Sequence, residues 1–385
     1  MTIVKTIFWI SAFMIFWANI GYPISILILD KVLKRKNKKI ENYEPTVTIM
    51  IVAHNEEKVI EQKIKNVLEL NYPKNKITIL ITSDNSTDKT NQIVKKNINK
   101  YKDRNIVLYE VKERKGKTNA QNEAAKLVKS EIIVMTDANA MLDKDAIKEL
   151  VSYFDKNVVY VTGKLNYTNE RENLTSKTEN TYWNLDTKIR DIESNIQTIT
   201  AGNGALYAVK TKEYVDFDPI MCHDSIMPLY YALNNKRAIA NHNAIAYEKA
   251  GENNEDEFKR KIRMSRITLK FILPSLKILN IFKYKWFTYF YLGHRTSRYL
   301  LWFNHILLFI SNALLIKYSY FFLVIFICQC ITYLIAIIKN VFNLNNKLFN
   351  FISYYLMTVL AQFIGVVNTI TRRNKPFWEK AESTR

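Results

Sequence analysis

Short runs of β-branched and apolar residues recur between Thr46 and Tyr247 with polar punctuation between them. Thr46 to Ala53, Lys76 to Thr82 and Glu131 to Met135 are nearly continuous in Val, Ile, Thr, Leu and Met, the pattern of strands covered on both faces. Asn105 to Val111, Val158 to Leu165, Ala205 to Val209 and Arg237 to Tyr247 add further strand patterns. Helical spacing appears over 117–129, 144–154, 174–193 and 224–234. Strands alternating with helices predict an α/β fold with a mostly parallel sheet. Ligands of such sheets bind beyond the carboxyl ends of the strands. Polar segments fall at those ends or just before a helix: His54 to Glu57, Ser83 to Asp88, Gly116 to Ala120 and Thr136 to Asn139.

A second pattern is purely apolar. Ile7 to Leu29 is uncharged and about as long as a bilayer-spanning helix requires. It is too long for a signal-peptide core and lacks a small-residue cleavage pattern, so it reads as a retained anchor. Similar runs occupy 299–316, 319–338 and 349–370, with Trp and Tyr near their edges. From Asp256 to Leu279, Phe258, Ile262, Ile267, Phe271 and Ile278 interleave with Lys and Arg, the composition of a helix lying in a membrane interface. The expected division is an anchor over 1–30, an α/β domain over 31–254, an amphipathic segment over 255–298, membrane helices over 299–371 and a basic tail over 372–385.

Charge refines this picture. The net formal charge of +20 would suit a nucleic-acid binder, but much of it borders the apolar runs, and no nucleic-acid motif accompanies it. Lys31, Lys34, Arg35, Lys36, Lys38 and Lys39 follow the first span, which predicts an outside N-terminus and a cytoplasmic α/β domain. Three further spans would then put the tail outside, against the charges of Arg372 and Arg373. Either the last run, interrupted by Gln362, Gly365 and Asn368, lies in the interface, or the tail breaks the charge rule. Cys222, Cys328 and Cys330 form no zinc or redox spacing. The sequons at Asn85, Asn166 and Asn173 would face the cytoplasm and stay unmodified.

Carboxylates at strand ends suit a ligand with ribose hydroxyls or a divalent cation, because ionised Asp and Glu only accept hydrogen bonds and are hard oxygen ligands. Gly116-Lys117 can bring an ammonium to phosphate while the glycine lets backbone approach. Neither a Gly-Xaa-Gly-Xaa-Xaa-Gly nor a Walker A sequence is present, which argues against dinucleotide oxidoreductases and P-loop ATPases.

Taken in order, Thr46 to Glu57, Asp84 to Thr90, Gly116 to Asn122 and Asp137 to Asn139 resemble the GT-A nucleotide-sugar domain of membrane-bound glycosyltransferase family 2. The resemblance extends over the anchor, the C-terminal spans and the closing Lys375 to Lys380. It implies that Asn55, Glu56 and Asp84 hold the nucleoside, and that Lys117 lies near the base or phosphates. Asp137 matches the first carboxylate of the family's metal motif, and Asn139 stands at the second. An amide oxygen is the weaker ligand, so affinity for Mg²⁺ or Mn²⁺ should be reduced. Asp224, after His223, matches the catalytic base. Gly202, Asn203 and Gly204, with His223, would line the acceptor region. The Gln-Xaa-Xaa-Arg-Trp motif of processive members appears as Arg260 to Met264 without its Gln and Trp, leaving Arg260 and Arg263 for the diphosphate.

Other roles suit several of these residues. Asp88 and Asp224 are placed as helix caps, Asn139 as a turn residue, and Arg260, Arg263 and Arg266 as partners of anionic lipid. His305, inside an apolar run, reads as a bundle-facing polar group. The resemblance implies inverting transfer from a nucleotide sugar, UDP-linked, to a membrane-associated glycan at the cytoplasmic membrane, in polysaccharide or cell-envelope glycan synthesis. A lipid or polyprenyl-phosphate acceptor is the alternative, and an accessory translocation subunit would be needed for a wide channel. A silent nucleotide-sugar-binding scaffold is the non-enzymatic reading.

Overall fold

A computed structural model describes residues 1–168, 174–249, 254–342, 344, 346–374 and 376. The sequon at Asn173 and most of the closing segment after Asn374 lie outside them. Among the described residues, eight strands form one sheet: β1 (Val47–Ala53), β2 (Ile77–Ser83), β3 (Asn105–Glu110), β4 (Ile132–Asp137), β5 (Met141–Leu142), β6 (Val158–Tyr167), β7 (Leu206–Lys210) and β8 (Arg237–Glu248), in the order β3-β2-β1-β4-β7-β6-β8-β5. The first four named in that order run parallel, as the alternation of strand and helix predicts. β7 reverses direction against both β4 and β6, while β6 and β8 are parallel. β1 and β4 are the innermost parallel strands and are almost wholly buried, which is why their sequences are apolar without alternation.

One face of the sheet packs Ile49, Ile51, Ile79 and Val134 against Ile60, Ile64 and Val67 of the helix Ile60–Leu68. The other packs Met50, Ile133 and Met135 against Ala124, Met227 and Tyr231, from the helices Lys117–Ala125 and His223–Leu233. That second layer brings Lys117 and Asp224 to one end of the sheet.

Among the described residues, four helices are long and apolar enough to cross a membrane: Thr2–Leu33, Leu301–Tyr318, Tyr320–Phe342 and Lys347–Ile370. The first pairs Phe8 with Leu315 and Ala18 with Leu301, so it runs beside the second from the far end to the sheet domain. The last differs. Gly365 abuts Ser265, where an added Cβ would come within 2.6 Å of the serine Cβ, and Thr369 Oγ1 donates to the Arg266 carbonyl at 2.9 Å. Its carboxyl end therefore sits against the segment that follows the sheet. Tyr354 also reaches Glu257, so much of the helix lies along that segment.

The segment after the sheet departs from the expected interfacial helix. It is broken into Asn254–Met264, Thr268–Ile272, Ile281–Tyr284 and intervening tight turns, with Pro274 preventing continuation. Ile267, Phe271 and Ile278 face inward onto Leu229, Tyr284, Phe287 and Tyr291. The exposed apolar side chains are instead Leu269, Leu273, Leu276, Leu279, Ile281 and Phe282.

Candidate functional site

Asp84 ends its strand with a buried carboxylate that accepts from the backbone N–H groups of Lys115 (3.2 Å) and Gly116 (3.0 Å). Burial raises its pKa, and the two N–H groups partly offset this. Gly116 has φ 91°, a conformation that favours glycine, and it starts the helix carrying Lys117. The carboxylate expected on the nucleoside thus holds the turn that presents the lysine. Asn55, at φ 56°, accepts from Thr87 N at 2.8 Å and ties the loops after β1 and β2 together. Glu56 is buried at the same junction, where its N–H donates to Thr90 Oγ1 at 2.8 Å. Asp88 accepts from Thr90 N at 2.9 Å at the helix start, although the cap position itself is Lys89 and not Asp88.

From this turn Lys117 Nζ donates to Asp137 at the end of β4 and, at 3.3 Å, to the Gly204 carbonyl. Burial disfavours the ammonium, but Asp137 and then Asp224 outweigh it and raise its pKa. Asp224 lies one residue into its helix, half-buried, and a Cβ on Gly204 would lie 3.6 Å from its carboxyl group. Its carbonyl accepts from Gly202 N at 2.7 Å. Burial raises the Asp224 pKa, Lys117 lowers it, and Asp137 raises it again, with a net upward shift. Lys117, Asp137, Gly204 and Asp224 therefore meet at the carboxyl end of the parallel strands.

Four expected members, His223, Gly202, Asn203 and Arg260, occupy other positions. Both ring nitrogens of His223 are engaged inside the protein, Nδ1 with Gln121 Oε1 at 2.8 Å and Nε2 with the Tyr214 hydroxyl at 3.0 Å. With burial and the Lys117 charge pushing its pKa to about 3, it is an uncharged strut of the helix start and presents no group to an acceptor. Gly202 is small because a Cβ would lie 2.0 Å from the Tyr160 hydroxyl, so packing, and not acceptor approach, requires the glycine. Asn203 braces its own loop, its Oδ1 accepting from Ala205 N at 3.0 Å. Arg260 makes a two-pronged contact with buried Glu257, at 2.6 and 2.8 Å, which directs it to the helix and away from a diphosphate. Arg263 is electrostatically coupled to Cys222 and Asp137, and burial and Arg260 lower its pKa to about 10.

Some members gave weak sequence signals. Lys63 lies on the apolar stripe of its helix between Ile60 and Ile64 and is fully buried. Its Nζ donates to Thr136 Oγ1 at 2.9 Å and to the Ala140 carbonyl, stitching the 137–139 loop from beneath. Burial lowers its pKa to about 7. Glu248 ends β8 and accepts from the Asn139 side chain. Arg266 reaches Cys222 Sγ at 3.7 Å.

Among the described residues, no group of three or more His, Cys, Asp or Glu side chains is placed to hold a metal ion. Asp137 keeps a third of its side chain exposed, and Asn139 is fixed through its nitrogen, leaving its amide oxygen to offer. One carboxylate and one amide oxygen fit a hard divalent ion that also takes water and ligand oxygens.

A family model described as Glycosyl transferase family 2 matches residues 48–210. The match spans less than half of the chain, and the fold is GT-A, a mixed sheet flanked by helices. It is 32% identical over 150 residues to a beta-monoglucosyldiacylglycerol synthase of Nostoc sp., covering 39% of this chain and 32% of that one. Against a poly-beta-1,6-N-acetyl-D-glucosamine synthase of Staphylococcus aureus it is 29% identical, covering 41% and 36%. The chain spans about a third of the length of these curated relatives. A mannosyltransferase of Pyrobaculum calidifontis, solved in complex with GDP-Man and Mn²⁺, superposes with a TM-score of 0.74 at 18% identity, over 96% of this chain and 100% of that one. The last likeness is one of fold.

Proposed function

We propose that the protein is an inverting glycosyltransferase that moves a sugar from a nucleotide sugar to a membrane-associated glycan acceptor, in polysaccharide or cell-envelope glycan synthesis. The meeting of Lys117, Asp137, Gly204 and Asp224 beyond the parallel strands carries this reading. Asp224 takes the proton of the acceptor hydroxyl as that oxygen attacks the anomeric carbon, and its raised pKa suits a general base. Lys117 and Arg263 place positive charge where the leaving diphosphate gains negative charge. Asp137 and Asn139 would hold a divalent cation, Mg²⁺ or Mn²⁺, which when bound neutralises diphosphate charge. Asn55, Glu56 and Asp84 shape the nucleoside end, and a UDP-sugar is the proposed donor. The catalytic domain faces the cytoplasm, anchored in the cytoplasmic membrane.

A lipid-borne acceptor is the second reading, and one contact favours it. The last apolar helix bonds Arg266, whose guanidinium reaches Cys222 beside the base, so the site adjoins a surface able to meet lipid. The relative from Nostoc is named as a lipid glycosyl synthase. An accessory subunit would be required for translocation of a long polymer.

Nucleotide release by detergent-purified protein, offered UDP- and GDP-sugars with Mn²⁺, Mg²⁺ or EDTA, tests the proposal. Turnover of one donor, lost in EDTA, supports it. Binding without turnover on every donor, in the presence of both glycan and lipid acceptors, would favour the scaffold.

A further inference from the structure

Behind the 202–204 loop lies a chain of buried polar side chains that the proposed reaction steps do not use. Arg190 Nη1 donates to the Gly202 carbonyl at 2.6 Å, and its Nη2 lies 2.6 Å from Asp186 Oδ2. Asp186 Oδ1 also meets Arg298 at 2.5 Å and His294 Nε2 at 3.1 Å. The other ring nitrogen of His294 lies 2.8 Å from Glu193 Oε1, and that oxygen accepts from the Tyr22 hydroxyl at 2.6 Å. Asp186, Glu193 and His294 are each at most 3% exposed.

Both ends of this chain are informative. At one end, Gly202 has each backbone group fixed, its carbonyl by Arg190 and its N–H by the Asp224 carbonyl. The next N–H, of Asn203, donates to Thr162 Oγ1 at 2.9 Å. At the other end, Tyr22 belongs to the N-terminal apolar helix and stacks on His294 with ring centroids 5.5 Å apart. Gly293 has no room for a Cβ, which would meet the Tyr22 ring at 2.3 Å. His294 lies within the wider, π-type turn Tyr291–Thr296, and Tyr22 directly follows another, Trp17–Gly21, a local geometry frequent at functional sites.

Buried ion networks are poor devices for stability, because desolvation consumes most of their Coulomb energy and apolar packing serves as well. A network that ends on the backbone beside the base has a positional use. We propose that Arg190 is a positioning residue for the 202–204 loop, held by the Asp186–His294–Glu193–Tyr22 chain, so that seating of the N-terminal membrane helix fixes the loop against Asp224. The proposal rests on Asp224 acting as the base, but its physical core, the clamp, is separately measurable.

The test uses the detergent-purified full chain with Arg190→Gln, Arg190→Lys and Tyr22→Phe. Arg190→Gln is expected to speed hydrogen exchange of the peptide covering Thr200 to Leu206 by about tenfold or more, with β1 and β4 unchanged. Its kcat for transfer should fall ~10- to 100-fold while nucleotide affinity stays within about twofold, and Arg190→Lys should recover part of the loss. Tyr22→Phe, which removes only the hydroxyl at the distant end, should move both readouts the same way but less, and it decides the matter if Arg190→Gln does not fold. Unchanged exchange in the loop, or equal loss of nucleotide binding and kcat with no recovery by lysine, overturns the clamp. Wild-type protein that shows the protected loop but transfers no sugar contradicts the enzymatic reading and leaves the clamp standing.

Discussion

At the scale of single residues, fully buried Lys63 and half-buried Asp224 carry opposite pH signatures. The Asp224 pKa is raised, so its ionised form costs stability above that pKa, and the cost vanishes once acid protonates the group in both folded and unfolded chains. Asp224→Asn should therefore raise the melting temperature at pH 7 by a few degrees, ~2–4 °C, with the gain shrinking as pH falls. Thermal unfolding followed by tryptophan fluorescence reads this directly, and a lower melting temperature at pH 7 would count against a strained base. Lys63 is lowered from 10.5 to about 7. Between those values the unfolded chain binds more protons, so stability rises with pH from about 7 toward 10. Lys63→Met should flatten that rise, and parallel curves for variant and wild type would show that the lysine is not titrating there. The sequence disclosed Asp137, Lys117 and Asp224 because motif order singles them out. It concealed Lys63, since a lysine within an apolar stripe ordinarily extends to water, and only the folded contacts with Thr136 and Ala140 show otherwise.

At the scale of elements, the helix Asn254–Met264 divides the two arginines that sequence alone treated together. Arg260 is committed to Glu257, whose side chain is 2% exposed and also meets Tyr354 of the last helix. Breaking such a pair leaves a charge buried, so Glu257→Gln and Arg260→Ala should each lower the melting temperature with little effect on nucleotide affinity. Arg263→Ala should instead weaken nucleotide binding about tenfold, as expected for one charge-assisted hydrogen bond. Calorimetric titration with UDP and GDP checks the split, and the reverse order of effects would reassign the pair. The elements of the sheet were legible because β1, β2 and β4 are buried on both faces. The interfacial segment was not, because period alone cannot tell an apolar stripe that meets a core from one that meets lipid, and Pro274 breaks the helix that the stripe implied.

At the scale of the whole molecule, the docking of Lys347–Ile370 bears on the conflict between span count and charge. Its carboxyl end bonds Arg266 near the site, so Arg372 and Arg373 leave the helix on the side of the sheet domain. That is also the side of Lys31 to Lys39, which follow the first helix, as the charge rule prefers. A fluorescent reporter fused to the C-terminus should thus be active on the same side as one inserted in the α/β domain, whereas opposite sides would mean that the last helix crosses. Counting apolar runs could not reach this result, because Gly365 and Thr369 reveal their partners only when Ser265 and Arg266 are brought beside them.

In the proposed reaction, a base acts beside a bound nucleotide sugar. The most direct measurement compares sugar transfer and nucleotide binding in wild type and Asp224→Asn. The predicted result is a fall in transfer of at least ~100-fold with nucleotide affinity preserved; transfer by the variant at near wild-type rate would contradict the assignment of Asp224 and the mechanism built on it.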